Sequence, residues 1–331
     1  MKRETFIIAE AGVNHNGSMQ LAYEMVEQAR IAGVNAIKFQ TFKAESLVSK
    51  FAQMASYQKK NTNSEESQLS MLRKLELTYD NFRELKSHCD KAGILFISTP
   101  FDFDSIDFLN DLEIPLWKVP SGEVTNLLFL EKIAQTRKEV ILSTGMSTLD
   151  EIAAAVEVLS SCRKITLLHC STIYPTPLES VNLAAMETMK DRFSMDIGYS
   201  DHTLGIEISL VAVGMGAKII EKHFTLDKNM EGPDHKASLN PEELKALVEG
   251  IRRIEIALGD GVKSPTPAER DNMLVARRSI VAKKAIEKGD VFSKDNLTIK
   301  RPGIGISPME WYNVIGKISN RDYEEDEIIE K

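Results

Sequence analysis

The sequence predicts an α/β protein: a closed (β/α)8 barrel over residues 1–260, a linker over 261–275, and a small β-rich domain over 276–331. Three observations predict it. Eight short apolar runs recur along the chain, at Phe6–Ala9, Asn35–Phe39, Ile94–Ile97, Leu116–Val119, Val140–Leu142, Ile165–Leu168, Met195–Gly198 and Lys218–Ile220. They read as continuous apolar stretches, the mark of a parallel sheet covered by helices on its outer face. Segments of helical period lie between them, and the texture changes to short strands and turns beyond the Gly259-Asp260-Gly261 stop and the Ser264-Pro265-Thr266-Pro267 stretch.

Each helix carries its own signals. Ser18 caps a helix with Leu21, Met25, Val26 and Ala29 inward, ending near Gly33. Thr78 caps another, with Phe82, Leu85 and Cys89 inward and Gly93 past its end. Thr148 with Glu151 is a capping-box pair. Asn240-Pro241 with Glu243 opens a helix whose proline sits where a missing N–H costs little. Two segments break the rhythm. Lys43–Lys74 reads as a long polar insertion and a candidate lid, with a turn-prone stretch at 59–63. Asp227–Ser238 follows the eighth run and is expected to border the barrel mouth. The last domain begins near Ala276 and includes the Arg301-Pro302-Gly303-Ile304-Gly305 turn. It is close to the lower size limit for independent folding.

Composition narrows the function classes. The chain has 331 residues, 43% of them hydrophobic, enough for one large core and a small second one. The formal net charge is −8 with no basic tract, which argues against nucleic acid as a partner. Cys89, Cys162 and Cys170 fit neither metal-ligand nor disulfide spacing and suggest a reducing compartment. No stretch approaches the ~20 apolar residues of a membrane span. The first apolar run is too short for a signal peptide and is interrupted by Glu10. The expectation is a cytoplasmic protein with small-molecule substrates.

A barrel gathers the C-terminal ends of its strands at one mouth. The residues at or just past the runs are Glu10, Lys38 with Gln40, Ser98 with Thr99, Lys118 with Ser121, Ser143, His169, Ser200 with His202, and His223. His202 and His223 end neighbouring strands and can hold a divalent metal, or can be ordinary histidines bonded to backbone or carboxylates. Lys38 and Lys118 can grip a phosphate or carboxylate. The alternatives are a Schiff-base lysine and ion pairs closing the barrel end. Ser121-Gly122, Ser143-Thr144-Gly145 and Ser200-Asp201 offer hydroxyls and free N–H groups to a phosphate. Glu10 can bind a sugar hydroxyl, shuttle a proton or pair with Lys38. His169 reads as structural. No nucleophile-elbow motif is present.

These residues sit in longer words: AEAGVNHNG from Ala9, KFQT from Lys38, STPF from Ser98, PSGE from Pro120, LSTGM from Leu142, YPTP from Tyr174, GYSDHT from Gly198, EKHF from Glu221, GPD from Gly232 and KRPG from Lys300. In their order and spacing the chain resembles the sialic acid (nonulosonic acid) synthases along essentially its whole length, and residues 276–331 look like their antifreeze-like (SAF) domain. The resemblance implies condensation of phosphoenolpyruvate with a 2-acetamido-mannose-type sugar, giving a nine-carbon 2-keto acid and phosphate. It implies that His202 and His223 hold a divalent metal, Mn2+ first, with Mg2+ or Co2+ as alternatives. It assigns Lys38, Lys118, Ser121, Ser143 and Ser200 to phosphoenolpyruvate. Glu10, Gln40, Asn63, Tyr174 and Asp234 go to the sugar, Glu10 also being the candidate for activating water. Arg301 would reach the sugar bound by the partner subunit of a domain-swapped homodimer.

One departure concerns the strand-six exit, where Thr172 stands against an asparagine of some family members and its role is left open. Ile173 and Ile304 replace polar residues found in some N-acetylneuraminate synthases, and apolar surface there would suit a 6-deoxy acceptor. With the wording of Glu10–Asn14, this leans toward an N,N'-diacetyllegionaminate synthase, acting on 2,4-diacetamido-2,4,6-trideoxymannose. The alternative is an N-acetylneuraminate synthase acting on N-acetylmannosamine. A Schiff-base barrel aldolase and a non-catalytic carbohydrate-binding protein rank below both.

Overall fold

The computed structural model describes residues 4–49, 51–52 and 67–330. They divide into two compact units, Met1–Gly259 and Asp260–Lys331.

In the first unit β1 (Phe6–Gly12), α1 (Met19–Ala32) and β2 (Ala36–Thr41) lead into two short helices, α2 (Ala44–Leu47) and α3 (Gln68–Leu75). Then come α4 (Tyr79–Ala92), β3 (Leu95–Pro100), α5 (Phe103–Asp111), β4 (Leu116–Val119), α6 (Leu127–Gln135) and β5 (Glu139–Ser143). The unit finishes with α7 (Leu149–Val158), β6 (Ile165–Cys170), α8 (Ala185–Phe193), β7 (Asp196–Asp201), α9 (Glu207–Gly214), β8 (Ile219–His223) and α10 (Pro241–Leu258). All ladders between these strands are parallel, in the order β3-β2-β1-β8-β7-β6-β5-β4, and β3 lies beside β4 to close the barrel.

The expected caps are present. Ser18 accepts from the Leu21 N–H, and α1 stops at Gly33 with φ 84°. Thr78 with Asn81, Thr148 with Glu151, and Asn240 with Glu243 form reciprocal capping boxes. Each satisfies N–H groups that a helix end otherwise leaves without partners.

Alternation along the strands positions the site. Side chains two apart share a face of a strand. Ile8, Ala36, Ile97, Ile141, Leu168 and Ile219 pack together as an apolar layer inside the barrel, joined by the partly buried Leu116. Two residues further along these strands come Glu10, Lys38, Thr99, Ser143, Cys170 and Glu221, with Lys118 above Leu116. A polar layer therefore lies directly on an apolar one. Gly198 makes room in the lower layer: a Cβ there would stand 2.5 Å from the Ile219 carbonyl oxygen and 2.6 Å from a Leu168 methyl.

This layering explains why the strands outrun the apolar runs. β1 continues through Glu10 to Gly12, β2 through Gln40 to Thr41, and β8 through Glu221 to His223. Polar residues occupy those ends because they face the mouth, so hydrophobicity stops before the ladder does.

The Lys43–Lys74 insertion was expected to be polar. Its described parts are amphipathic: Ala44, Met71 and Leu72 form an apolar cluster with the flanking Phe42 and Leu75 and with Val13, against which Leu47, Val48, Leu69 and Phe101 pack. The turn-prone stretch at 59–63 falls outside the described residues.

The second unit corrects the linker expectation. Residues 261–275 are not plain linker: α11 (Pro267–Ala276) begins there, capped by Thr266 with Glu269 and opened by Pro267. The Pro-rich stretch that reads as linker is a helix start, since proline fits the first helical turn. Beyond it β9 (Ser279–Ala282) pairs antiparallel with β10 (Leu297–Lys300). Ile280, Ala282, Ile286, Phe292, Leu297, Ile306, Tyr323 and Ile329 form this unit's own core, with Val314 from the short helix α12 (Trp311–Val314).

Candidate active site

A cavity of about 460 Å3 opens at the C-terminal ends of the strands. Of the residues expected at the mouth, Glu10, Lys38, Gln40, Lys118, Ser121, Ser143, Tyr174, Ser200, His202, His223 and Asp234 all line it. Asn63 lies outside the described residues.

The floor is a cluster of buried charges. Lys38 Nζ is 2.6 Å from Glu10 Oε2, donates to Thr99 Oγ1 at 3.0 Å, and stands 3.8 Å from Glu221 Oε2. Lys118 Nζ donates to Ser143 Oγ at 2.7 Å and lies 3.5 Å from Glu221 Oε1. Ser200 Oγ donates to that same Glu221 oxygen at 3.2 Å. One carboxylate from β8 thus joins a lysine of β2, a lysine of β4 and a serine of β7. Glu221 was missed in the sequence because it follows the apolar run by a single residue. Counting two positions from Ile219 finds it, as the same step finds Glu10 from Ile8 and Lys38 from Ala36.

Burial acts on every group in this cluster, and charge decides the outcome. It pushes the Glu10 carboxyl up to about 7, against the pull of Lys38 and with the repulsion of Glu221. Burial also opposes the charge on Glu221, yet Lys118 and Lys38 outweigh it and hold Glu221 below the usual carboxylate range. Burial draws Lys118 down despite Glu221. For Lys38 burial is outweighed by Glu10 and Glu221, so its ammonium is held on more firmly than usual. The floor therefore keeps fixed positive charge beside one carboxyl that changes state near neutral pH.

Above the floor stand the two imidazoles, with ring centres 5.3 Å apart. His202 Nδ1 donates to the Ser171 carbonyl oxygen at 2.6 Å, so Nε2 carries the lone pair when the ring is neutral. His223 is held neutral by burial and by the nearby charges of His202 and Lys38, and its Nδ1 is buried without a hydrogen-bond partner. Burial opposes the charge on His202, but Cys170 and the Ser171 carbonyl oxygen outweigh it and hold its proton more firmly than usual, so a divalent metal would displace that proton, while neutral His223 offers a lone pair directly. No third His, Cys, Asp or Glu completes a ligand set among the described residues. The pair fits an ion whose remaining positions belong to water and substrate. The Tyr174 ring packs 4.1 Å from His202 and edge-on to His223 at 5.6 Å.

Asp234 enters from the segment after β8. Burial pushes its carboxyl up to about 6, against His202. Its loop is tied back to the segment after β1. Asn14 Nδ2 donates to Ser238 Oγ, which donates to the Asp234 carbonyl oxygen at 2.7 Å. Asn16 Nδ2 donates to the Glu231 carbonyl oxygen, and Asn16 Oδ1 meets His235 Nε2 at 3.1 Å. The Asn14-His15-Asn16 word thus sets the position of Asp234 through backbone and side-chain bonds.

On the β5 side Ser121 Oγ accepts from the Gly145 N–H at 2.9 Å. A Cβ on Gly145 would stand 2.7 Å from Thr172 Cγ2, so glycine lets the two exits approach. Thr172 itself lines the cavity. His169 Nε2 lies 2.7 Å from the Val181 carbonyl oxygen and away from the cavity lining.

The comparisons with known proteins bear on this arrangement. The NeuB family model matches residues 25–263, and the SAF domain model matches residues 277–331. The chain belongs to the NeuB family. Among its NeuB relatives is the N,N'-diacetyllegionaminic acid synthase of Campylobacter jejuni, 54% identical over 99% of both chains. The protein of the same name from Legionella pneumophila is 47% identical over 94% of this chain and 89% of its own. A solved N-acetylneuraminic acid (sialic acid) synthetase from Leptospira borgpetersenii superposes with a TM-score of 0.73 at 37% identity, covering 81% of this chain and 90% of that one.

One expectation about this NeuB chain changes. Ile173, 48% exposed, is absent from the cavity lining, so it does not supply the apolar surface expected from it, while Ile304 lies in the second unit. Apolar side chains reach the cavity instead from α2 and α3, where Leu47, Met71, Leu72 and Leu75 are interspersed with polar and charged residues. Arg301 is an exposed residue of the second unit, its Nε donating to the Ala276 carbonyl oxygen at 3.0 Å.

Proposed function

We propose that this chain condenses phosphoenolpyruvate with 2,4-diacetamido-2,4,6-trideoxymannose, giving N,N'-diacetyllegionaminate and phosphate. The observation that carries the reading is the floor, where Lys38 and Lys118 stand among Ser143, Ser200 and Thr99 beneath two imidazoles. A small ligand bearing both a phosphate and a carboxylate suits two separated ammonium groups and their hydroxyl neighbours. The 54% identity to a named N,N'-diacetyllegionaminic acid synthase supports the choice of acceptor.

Lys38, Lys118, Ser121, Ser143 and Ser200 bind phosphoenolpyruvate and turn its C3 toward the acceptor. Gln40, Asn63, Tyr174 and Asp234 hold the sugar in its open-chain form. His202 and His223 hold a divalent metal, Mn2+ first, whose contribution is Lewis acidity at the acceptor's carbonyl oxygen. The C3 carbon attacks the aldehyde carbon, the aldehyde oxygen takes up a proton to become the new hydroxyl, and positive charge develops at C2. Water adds there, and Glu10, with a carboxyl that titrates near 7, takes its proton. The C2–O bond to phosphate then breaks, its electrons leave with phosphate, and the C2 hydroxyl loses its proton to become the ketone. No residue is acylated or forms a Schiff base.

We place the reaction in the cytoplasm, where phosphoenolpyruvate is made and where unpaired Cys89, Cys162 and Cys170 persist. We also propose that Arg301 completes the sugar site of the partner in a domain-swapped homodimer. Mixing Arg301→Ala with Lys38→Met protomers then restores turnover that neither has alone; no recovery refutes the swap.

The test is phosphate release with Mn2+. A kcat/KM at least tenfold higher for the trideoxy sugar than for N-acetylmannosamine supports the proposal. The reverse order makes the enzyme an N-acetylneuraminate synthase. A borohydride-trappable adduct on Lys38 or Lys118 overturns the mechanism.

A further inference from the structure

The cavity has two chemically distinct sides. Its floor is ionic and sits on the strands themselves, where Lys38 and Lys118 are 4% and 2% exposed. Its upper wall comes from chain beyond the strand ends: Leu47 and Val48 at the end of α2, and Met71, Leu72 and Leu75 of α3. Phe101, just past β3, joins them in the lining. This wall is built rather than accidental. Met71, Leu72 and Leu75 are buried in one cluster with Val13, Phe42 and Ala44, and Leu47 and Val48 pack against it. Lys43 and Glu76 pair at 2.9 Å, and Glu76 also accepts from the Ala44 N–H, so a salt bridge fastens α2 to the end of α3. Gln68 is the polar lining residue that the described part of α2 and α3 adds.

We propose that this wall is the specificity determinant of the acceptor site and that it reads the C6 end of the sugar, favouring a methyl group over a hydroxymethyl. The proposal rests on the function proposed above and assigns the sugar preference to named residues. The argument is one of polarity and direction. The aldehyde carbon must lie over the floor, where the enol carbon of phosphoenolpyruvate is held. An open-chain hexose then directs its sixth carbon away from the floor and toward the rim. There it meets leucine, valine and methionine. A hydroxyl placed against them loses water and gains few partners, whereas a methyl gains contact. An apolar surface discriminates against one added hydroxyl by about a hundredfold at most.

The test uses two acceptors that differ only at C6, 2,4-diacetamido-2,4,6-trideoxymannose and 2,4-diacetamido-2,4-dideoxymannose, with saturating phosphoenolpyruvate. The wild-type protein is expected to favour the trideoxy sugar by tens of fold in kcat/KM. Leu47→Asn and Met71→Gln are expected to lower that ratio about tenfold, mainly through the trideoxy sugar, with the KM for phosphoenolpyruvate unchanged. Leu47→Met keeps the wild-type ratio. Leu47 is half-buried, so its variant carries the test if Met71→Gln does not fold. A ratio unmoved in both variants, or a parallel loss for both sugars, overturns the wall. Wild-type protein that turns over neither sugar fails the functional reading itself, a separate result from turnover with an unmoved ratio.

Discussion

Strand β8 carries two buried charge clusters on opposite faces, and they are built differently. On the outer face Lys222 donates to Asp201 Oδ2 and to the Thr203 carbonyl oxygen, both at 2.8 Å. Asp201 also accepts from Ser209 Oγ at 2.6 Å and from the Thr203 N–H and hydroxyl at 2.8 Å. Every polar atom of that pair is served by its neighbours. On the inner face, one residue away, Glu221 is divided among Lys38, Lys118 and Ser200. Its Oε2 lacks a hydrogen bond, and so does the nearby His223 Nδ1. A closed pair fixes a strand in place. An open cluster leaves bonding capacity for a ligand, and a buried polar group without a full set of partners costs stability. The two faces teach that burial of charge alone does not mark a site, and that incomplete satisfaction beside a cavity does.

Substitutions break the comparison in a graded way. The largest effect belongs to the inner face. Lys38→Met should lower kcat/KM for phosphoenolpyruvate by about a thousandfold, ~4 kcal/mol, as expected for losing one member of a buried charged contact. Steady-state phosphate release measures it. Lys222→Met should do the opposite. Stripping one partner from a buried pair costs about 3–5 kcal/mol of stability, seen by urea denaturation, while the KM for phosphoenolpyruvate stays within about threefold. If Lys222→Met abolishes catalysis in a folded protein, the outer pair is not merely structural.

A smaller effect is expected where the loop after β8 is tied to the segment after β1. Ser238→Ala removes the link between Asn14 and the Asp234 carbonyl oxygen, worth about 1 kcal/mol for a neutral hydrogen bond. The KM of the sugar should rise several-fold with that of phosphoenolpyruvate unchanged. A shift in both would mean the loop supports the whole mouth.

A further expectation concerns pH. Burial holds His15 and His235 at about 4, with the charge of His235 also acting on His15 and Asp227 weakly opposing at His235. Between pH 6.5 and about 4 the unfolded chain binds protons that the folded chain refuses. Stability therefore falls as pH drops through that window and levels off below it. Melting curves from pH 7.5 to 4.5 should show the decline, and His235→Gln should flatten part of it. A slope unchanged by the substitution would place the acid sensitivity elsewhere.

Much of this molecule was legible in its residues. The apolar runs marked all eight barrel strands, and Ser18, Thr78, Thr148 and Asn240 marked helix starts that the structure keeps. Lys38, Lys118, His202 and His223 were visible as polar residues at the ends of those runs, and the cavity gathers them. Glu221 was hidden because a run of hydrophobicity says where a core ends, while a ladder continues into polar residues that face a site. Helix α11 was hidden behind prolines that serve equally in linkers and first turns. The apolar wall was hidden because Leu47, Val48, Met71 and Leu75 are separated in sequence and meet only through folding.

The central claim, that the inner cluster exists to hold a phosphate-bearing carboxylate, is tested most directly by calorimetric titration of phosphoenolpyruvate, without acceptor, into wild-type, Lys118→Met and Lys222→Met proteins. The account predicts that Lys222→Met binds as the wild type does and that Lys118→Met weakens binding at least a hundredfold. Equal binding by all three folded proteins would contradict it.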